Sequence, residues 1–371
     1  MFDTLLINIE ITGQELENID KTYRCKKIEK KGVTIYTTRK LYFCGFDKIT
    51  LFHVKPKPGL PFNRYYLNIG MTLSKVIHNK KYLGVATYQD LIDNEYVKKI
   101  NDRIHKYLSI KYNLDQFKTK RADYAIDYWP EIYVTIDQLI YLAKRSKGLS
   151  RGDYEIYEKD GSYYLKNRTA KNPSIKFNCY DKYGKAMKDI ANGRLDPKAD
   201  VNQIKNKYRI EVQCLRPKIF GMMKFFKIKN RDPTKFLKPK IAMQIIKYYL
   251  LDTIGPGDYF SLNRAQEIIN SSGTVFPNMK PKLIATLELI EKAGNMKEAE
   301  DTFLSEGMII PAYDKVNPFK GTKNTYNSYI KKLRELGINP VTIPETWGVD
   351  HIKSPLHEVY KIEKSLGGPV Q

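Results

Sequence analysis

The 371-residue chain has no apolar run of about eighteen residues, the length a bilayer-spanning helix requires. That argues against an integral helical membrane protein. Its four cysteines, Cys25, Cys44, Cys179 and Cys214, stand singly with no C-x-x-C, so neither a zinc site nor a disulfide framework is supported. Its five histidines, at 53, 78, 105, 351 and 357, never form an H-x-H pair, and His53 and His78 read as structural residues. No internal repeat or low-complexity tract occurs. Acidic residues are in short supply: 41 Asp and Glu face 64 Lys and Arg, a formal charge of +23. Such an excess attracts polyanions, of which nucleic acid is the commonest in the cytosol and an anionic membrane surface the rival. The start, MFDTLLINIEITG, carries Asp3 and Glu10 within a short apolar alternation and reads as a first strand, not a signal peptide. A cytoplasmic protein without a membrane partner is the expectation.

What is present is a globular composition, with 42% hydrophobic residues, in a chain long enough for about two domains. Residues 1–216 are rich in short stretches of Tyr, Ile, Val, Thr and Phe that fit a pleated surface, among them VTIYTTRKLYFC, RYYLNIGMTL and YRIEVQCL. Helices are expected across Ser74 and Tyr88–Leu108, and after Thr135, where Gln138 completes a capping box. Asp160–Gly161 signals a hairpin turn. Strands and helices mix without a regular βαβ beat. The expected fold is therefore α+β: a mainly antiparallel central sheet with helices on one face and an open catalytic face, plus a C-terminal helical domain.

After Arg216 the texture changes. Nine Lys and Arg lie between Arg216 and Lys240, interleaved with Phe220, Phe225, Phe226 and Phe236. This 217–240 segment is either a linker or a DNA-contacting element, with Lys224, Lys227, Lys229 and Arg231 as the candidate phosphate contacts. From 241 to 371 the periodicity is helical, with Ser261 as a cap and Gly337 followed by Pro340 as a stop.

Three separated strand-like segments collect chemistry on one face, because side chains in a strand alternate with period two. Asp123 and Asp127 share a face with Arg121. Tyr180 and Lys182 share one with Lys176 and Asn178, and Glu211 one with Arg209 and Gln213. The opposite faces are core material. Carboxylates are the hard ligands that Mg²⁺ or Mn²⁺ prefers, and Asp123, Asp127 and Glu211 are the candidate set. A tyrosine on the same surface can attack phosphorus and conserve the bond energy in a phosphotyrosine. Tyr180 is the candidate nucleophile, with Lys182 and Arg209 beside it and Tyr183 as a second choice. Twenty-eight tyrosines make any one of them more often structural, and alternating Arg and carboxylate on a sheet face is also common as cross-strand ion pairing.

The segments MFDTLLINIEI, YYLNIGMTLSKVIHNKKY (65–82), RADYAID (121–127), FNCYDKYGKAMKD (177–189) and YRIEVQCLR (208–216) resemble, in order and spacing, the rolling-circle replication initiators of the filamentous-phage gene II type. More distantly they resemble transfer-type plasmid initiators and relaxases. The resemblance covers most of residues 1–220. It implies a site-specific endonuclease that nicks one origin strand, holds the 5′-phosphate on a tyrosine, religates it, and leaves a 3′-hydroxyl for a polymerase. By position Tyr180 matches the Y-D-K tyrosine, Glu211 the R-x-E carboxylate and Asp123 the R-x-D carboxylate, with Asp127 the next acid. The wider nickase superfamily commonly binds metal through H-x-H, which carboxylates would have to replace here. Origin duplex and single-stranded DNA, with a host helicase and polymerase, are the implied partners. A non-catalytic origin-binding protein is the alternative.

Overall fold

The computed structural model describes residues 1–78, 83–146, 154–159, 162–167, 173–193, 195–310 and 318–366. The Asp160–Gly161 turn lies outside them, as does most of the HNKKY stretch. The chain divides into two units: Met1–Asp127 with Lys166–Ile246, and Tyr128–Leu165 with Lys247–Gln371.

In the first unit the strands are β1 (Phe2–Ile11), β2 (Lys26–Lys30), β3 (Val33–Thr38), β4 (Phe46–Val54), β5 (Arg64–Thr72) and β6 (Lys118–Tyr128). In chain order β7 (Tyr154–Lys159) of the second unit and β8 (Ser162–Asn167), which runs across the boundary at Leu165, come next, and β9 (Ile175–Asp181) and β10 (Tyr208–Cys214) belong again to the first. Eight of these form an antiparallel sheet in the order β2-β3-β4-β5-β1-β6-β10-β9. Its core face is a set of in-register apolar rows: Ile7 faces Ile69, which faces Ile49, and Ile9 faces Leu67, which faces Leu51. Farther along, Val212 faces Phe177 and Ile210 faces Cys179. All are buried, as are Ala122, Tyr124 and Ile126. Burying one such side chain is worth roughly 1.5–3 kcal/mol, so these rows fix the register: a slip by one residue would turn each set outward. The fold class is α+β, as the alternation implied.

The helices of this unit are α1 (Gly13–Tyr23), α2 (Leu73–His78), α3 (Tyr88–Asp93) and α4 (Tyr96–Leu108). The single helix expected over 88–108 is two, because Glu95 sits at φ 46°, outside the right-handed helical region. The capping box expected at Thr135 is present ahead of α5 (Ile136–Arg145), a helix of the second unit: Thr135 Oγ1 accepts from the Gln138 amide at 3.2 Å, and Gln138 Oε1 from the Thr135 amide at 2.8 Å. Next come α6 (Lys182–Ala191) and α7 (Arg216–Phe225). Ile219, Met222, Phe236 and Leu237 are buried, so the basic 217–240 segment is packed into the first unit and is no free linker.

The second unit is mostly helical: α8 (Pro239–Thr253) enters it, followed by α9 (Leu262–Ser271), α10 (Lys280–Ala293), α11 (Met296–Ser305), α12 (Lys323–Glu335) and α13 (Leu356–Ser365). Ser261 caps α9 through its hydroxyl, and Gly337, at φ 74°, follows α12. Residues 128–165, placed by sequence with the N-terminal domain, group here instead. Arg145 explains it: its guanidinium donates to the carbonyls of Gly294 at 2.7 Å and Glu291 at 3.1 Å, satisfying the C-terminal end of α10.

A buried tyrosine and carboxylate network as the candidate active site

The three strands singled out by sequence are neighbours, β6-β10-β9. Register opposes Arg209 to Tyr180 and Glu211 to Asn178, which gathers the polar residues on one face. Tyr180 Oη donates to Glu211 Oε2 at 3.0 Å. The other oxygen of Glu211 accepts from Gln213 Nε2 at 2.6 Å, with Asn178 Nδ2 at 3.5 Å and an Arg121 nitrogen at 3.9 Å. Arg121 grips Asp123 with two prongs, Nε to Oδ1 at 2.7 Å and Nη2 to Oδ2.

Arg209 is the hub. It is fully buried and reaches Asp127 through Nε (2.6 Å) and Nη2 (2.8 Å), Asp3 Oδ1 through Nη1 (3.0 Å), and the Leu83 carbonyl (3.4 Å). Lys207 Nζ adds a second cation to Asp127 at 3.3 Å. Asp3 and Lys207 were missed from sequence as site residues. Both were findable: Asp3 alternates against the buried Phe2, and Lys207 continues the period-two row of Arg209 and Glu211 one step back.

At the end of β9 the chain turns into α6, and Asp181 caps it, accepting the Tyr183 and Gly184 amides at 2.9 Å each. A Cβ on Gly184 would lie 2.8 Å from Asp181 Oδ2, so the cap requires glycine there. Lys182, the first helical residue, is thereby fixed next to the network. Tyr183 instead packs against the apolar cluster of Leu83, Ala186 and Ile204.

The polar face is buried like the core face. Asp123, Tyr180, Arg209 and Glu211 are all under 6% exposed. Electrostatics follow from that burial. Tyr180 is pushed well above the usual phenol value by desolvation and then by the Glu211 charge. Burial and the neighbouring Arg209 charge lower the Lys182 amine to about 8. Burial alone would raise Asp127, but Arg209 and Lys207 hold it well below the usual carboxylate range. Burial pushes the Asp123 carboxyl up, against the pull of Arg121.

These pairings bear on the expected Mg²⁺ or Mn²⁺. Asp123 is closed by a guanidinium, Asp127 by a guanidinium and an ammonium, and Glu211 by a phenol and an amide. No group of three or more His, Cys, Asp or Glu side chains able to hold a metal ion occurs among the described residues. As arranged, the carboxylates do not fit a divalent ion, because each would first have to release a hydrogen-bonded donor.

Of the basic candidates, Lys224, Lys227 and Lys229 are exposed and lie at or beyond the end of α7, while Arg231 is half-buried. No helix among the described residues is long and apolar enough to cross a membrane. No protein-family model, curated protein or solved structure matches this chain.

Proposed function

We propose that this chain is a DNA strand-nicking and strand-joining enzyme that initiates rolling-circle replication. In this reading the Tyr180 oxygen attacks a backbone phosphorus, forming the Tyr–O–P bond as the P–O3′ bond breaks. Glu211 takes the phenol proton, and the departing 3′-oxygen is protonated in turn. The reverse reaction religates the strand. The observation that carries the proposal is the 3.0 Å hydrogen bond from Tyr180 Oη to Glu211 Oε2, which puts a proton acceptor on the nucleophile. A phenol held far above neutral pH is inert unless its proton leaves during attack, and a carboxylate at hydrogen-bond distance supplies that route. Lys182 offers positive charge for the non-bridging oxygens. The +23 charge suits a DNA substrate, duplex at the origin and single-stranded after nicking. The freed 3′-hydroxyl would be extended by a host polymerase behind a helicase. Because Tyr180 is only 3% exposed, reaction requires its cover to be displaced when DNA binds.

The burial of the acids and their occupation by protein donors favour one other reading: a DNA-binding protein that keeps this network as a structural core and does not cleave. Incubation with supercoiled origin DNA, followed by denaturing electrophoresis and mass mapping of the adduct, separates the two. An adduct on Tyr180 that is lost in Tyr180→Phe and in Glu211→Gln, with DNA binding retained, supports the nickase. An adduct on Tyr183 moves the nucleophile into α6. Binding with neither nick nor adduct selects the structural reading.

A further inference from the structure

A second cationic group lies where β6 meets the basic segment that follows β10. Ile7 pairs with Thr119 and Leu6 with Arg121, so Lys120 is the extra residue of a β-bulge. Bulges re-aim side chains next to functional sites. Thr119 then ties down the chain opposite: its amide and hydroxyl donate to the Arg231 carbonyl at 2.7 and 3.0 Å. This anchors Arg231 over the Phe220 ring, 5.1 Å from its centroid, with Arg216 at 5.9 Å from the same centroid. Phe220 itself is exposed. The Arg231 Nη1 atom is buried with no hydrogen-bond partner, an expensive state for a charged donor.

Among the described residues none of Lys120, Arg216 and Arg231 forms an ion pair with a carboxylate, and the Asp232 carboxylate next in the chain instead accepts from the Thr234 amide and hydroxyl. Lys120 is lowered by burial and then by Arg216, Arg231 and Lys118, and Arg231 by burial and then by Arg216. Cations brought together without an ion-pair partner, beside an exposed aromatic ring, match a nucleic-acid strand. A phosphate supplies the missing acceptor, and bases stack on the ring whatever their sequence.

We propose that Arg216 and Arg231, which flank Phe220, together with the neighbouring Lys120, bind successive backbone phosphates of single-stranded DNA, with Phe220 stacking an adjacent base. The inference deepens the replication reading and rests on it only for the choice of DNA as ligand. A strand held here would be gripped independently of sequence.

The test is fluorescence anisotropy of the full chain with labelled oligo(dT) of thirty nucleotides, across a salt series. Arg216→Ala and Arg231→Ala should each weaken binding several-fold and flatten the salt dependence by about 0.7 in log K against log salt, one phosphate contact for a single strand. Phe220→Leu, which keeps apolar bulk, should weaken binding about fivefold or more while leaving the salt slope unchanged. Arg216 is exposed, so its variant keeps the test valid if Arg231→Ala unfolds. Equal affinity and slope in Arg216→Ala and Phe220→Leu would overturn the proposal. So would loss of retention on phosphatidylserine vesicles with oligo(dT) binding intact, which would assign the cluster to a membrane surface. Binding needs no cleavage, so failure of the nicking assay leaves this result standing, and a nicking enzyme with a silent cluster refutes this site alone.

Discussion

Replacing Arg209 with methionine removes the charge at the centre of the network while keeping a similar apolar stem. Three carboxylate contacts disappear: two to Asp127, at 2.6 and 2.8 Å, and one to Asp3 at 3.0 Å. Asp127 retains Lys207, but Asp3 is left nine-tenths buried and loses the ion pair it makes with Arg209. Breaking a buried pair by deleting one partner costs roughly 3–5 kcal/mol, mostly as the penalty on the charge left behind. Against a typical domain stability of about 5–15 kcal/mol, the first unit should become marginal. The sequence provides a convenient control, since both tryptophans, Trp129 and Trp347, belong to the second unit. Urea unfolding read by far-UV circular dichroism should show the sheet-rich transition moving to lower denaturant, while the tryptophan fluorescence transition stays near the wild-type midpoint. The pH sense is fixed as well. Asp127 has its folded pKa depressed, so its contribution is present above the unfolded value of about 3.9 and disappears as pH falls through the folded value. Wild-type stability should therefore drop steeply on acidification, and Arg209→Met should show a shallower acid limb. A loss below about 1 kcal/mol at pH 7, or an unchanged acid limb, would mean that the network contributes no net stability and would remove the structural account given for it.

Above about pH 8 Lys182 loses its charge, because its folded pKa is lowered; nicking that depends on the ammonium should fall as pH rises through that value, and Lys182→Met should abolish this limb. A rate that keeps rising through pH 9 in the wild type would show that Lys182 gives the phosphate no charge. In the second unit, Asp258 accepts from His351 at 2.9 Å, His357 at 2.8 Å and the Ser354 amide at 2.8 Å. Asp258→Asn should lower the tryptophan-reported transition by about 1–2 kcal/mol and leave the sheet transition in place. Burial would raise the Asp258 carboxyl, but these donors hold it low, so its contribution is lost as pH falls below about 3.9 and the variant's deficit should shrink there. A deficit that persists unchanged at pH 3 would refute the charge-based account.

Period-two alternation made the sheet legible wherever one strand face is apolar: Tyr208, Ile210, Val212 and Cys214 are all buried on one side, and the same count places Arg209, Glu211 and Gln213 on the other. It failed at two kinds of position. The strand β2 reads KKIEK, with all five residues exposed, so no burial pattern marks it; its lysines suit an edge strand that must not recruit another chain. At Lys120 the bulge breaks the count, and Thr119, nominally in the row of Arg121 and Asp123, is buried opposite Ile7 instead. The tyrosine network shows a further limit. Residue types and faces identify which groups meet, but whether a carboxylate faces a metal ion or a guanidinium depends on the long side chains that reach it. Arg209, Arg121 and Lys207 occupy those places here; the two arginines each stand two residues from an acid on their own strand, and Lys207 immediately precedes β10. A sequence alternating Arg with Asp and Glu on adjacent strands therefore encodes its own counter-ions. Any divalent ion that acts at this site has to displace a bound donor first, a guanidinium or ammonium at Asp123 and Asp127 and a phenol or amide at Glu211, before the carboxylates are free to hold it.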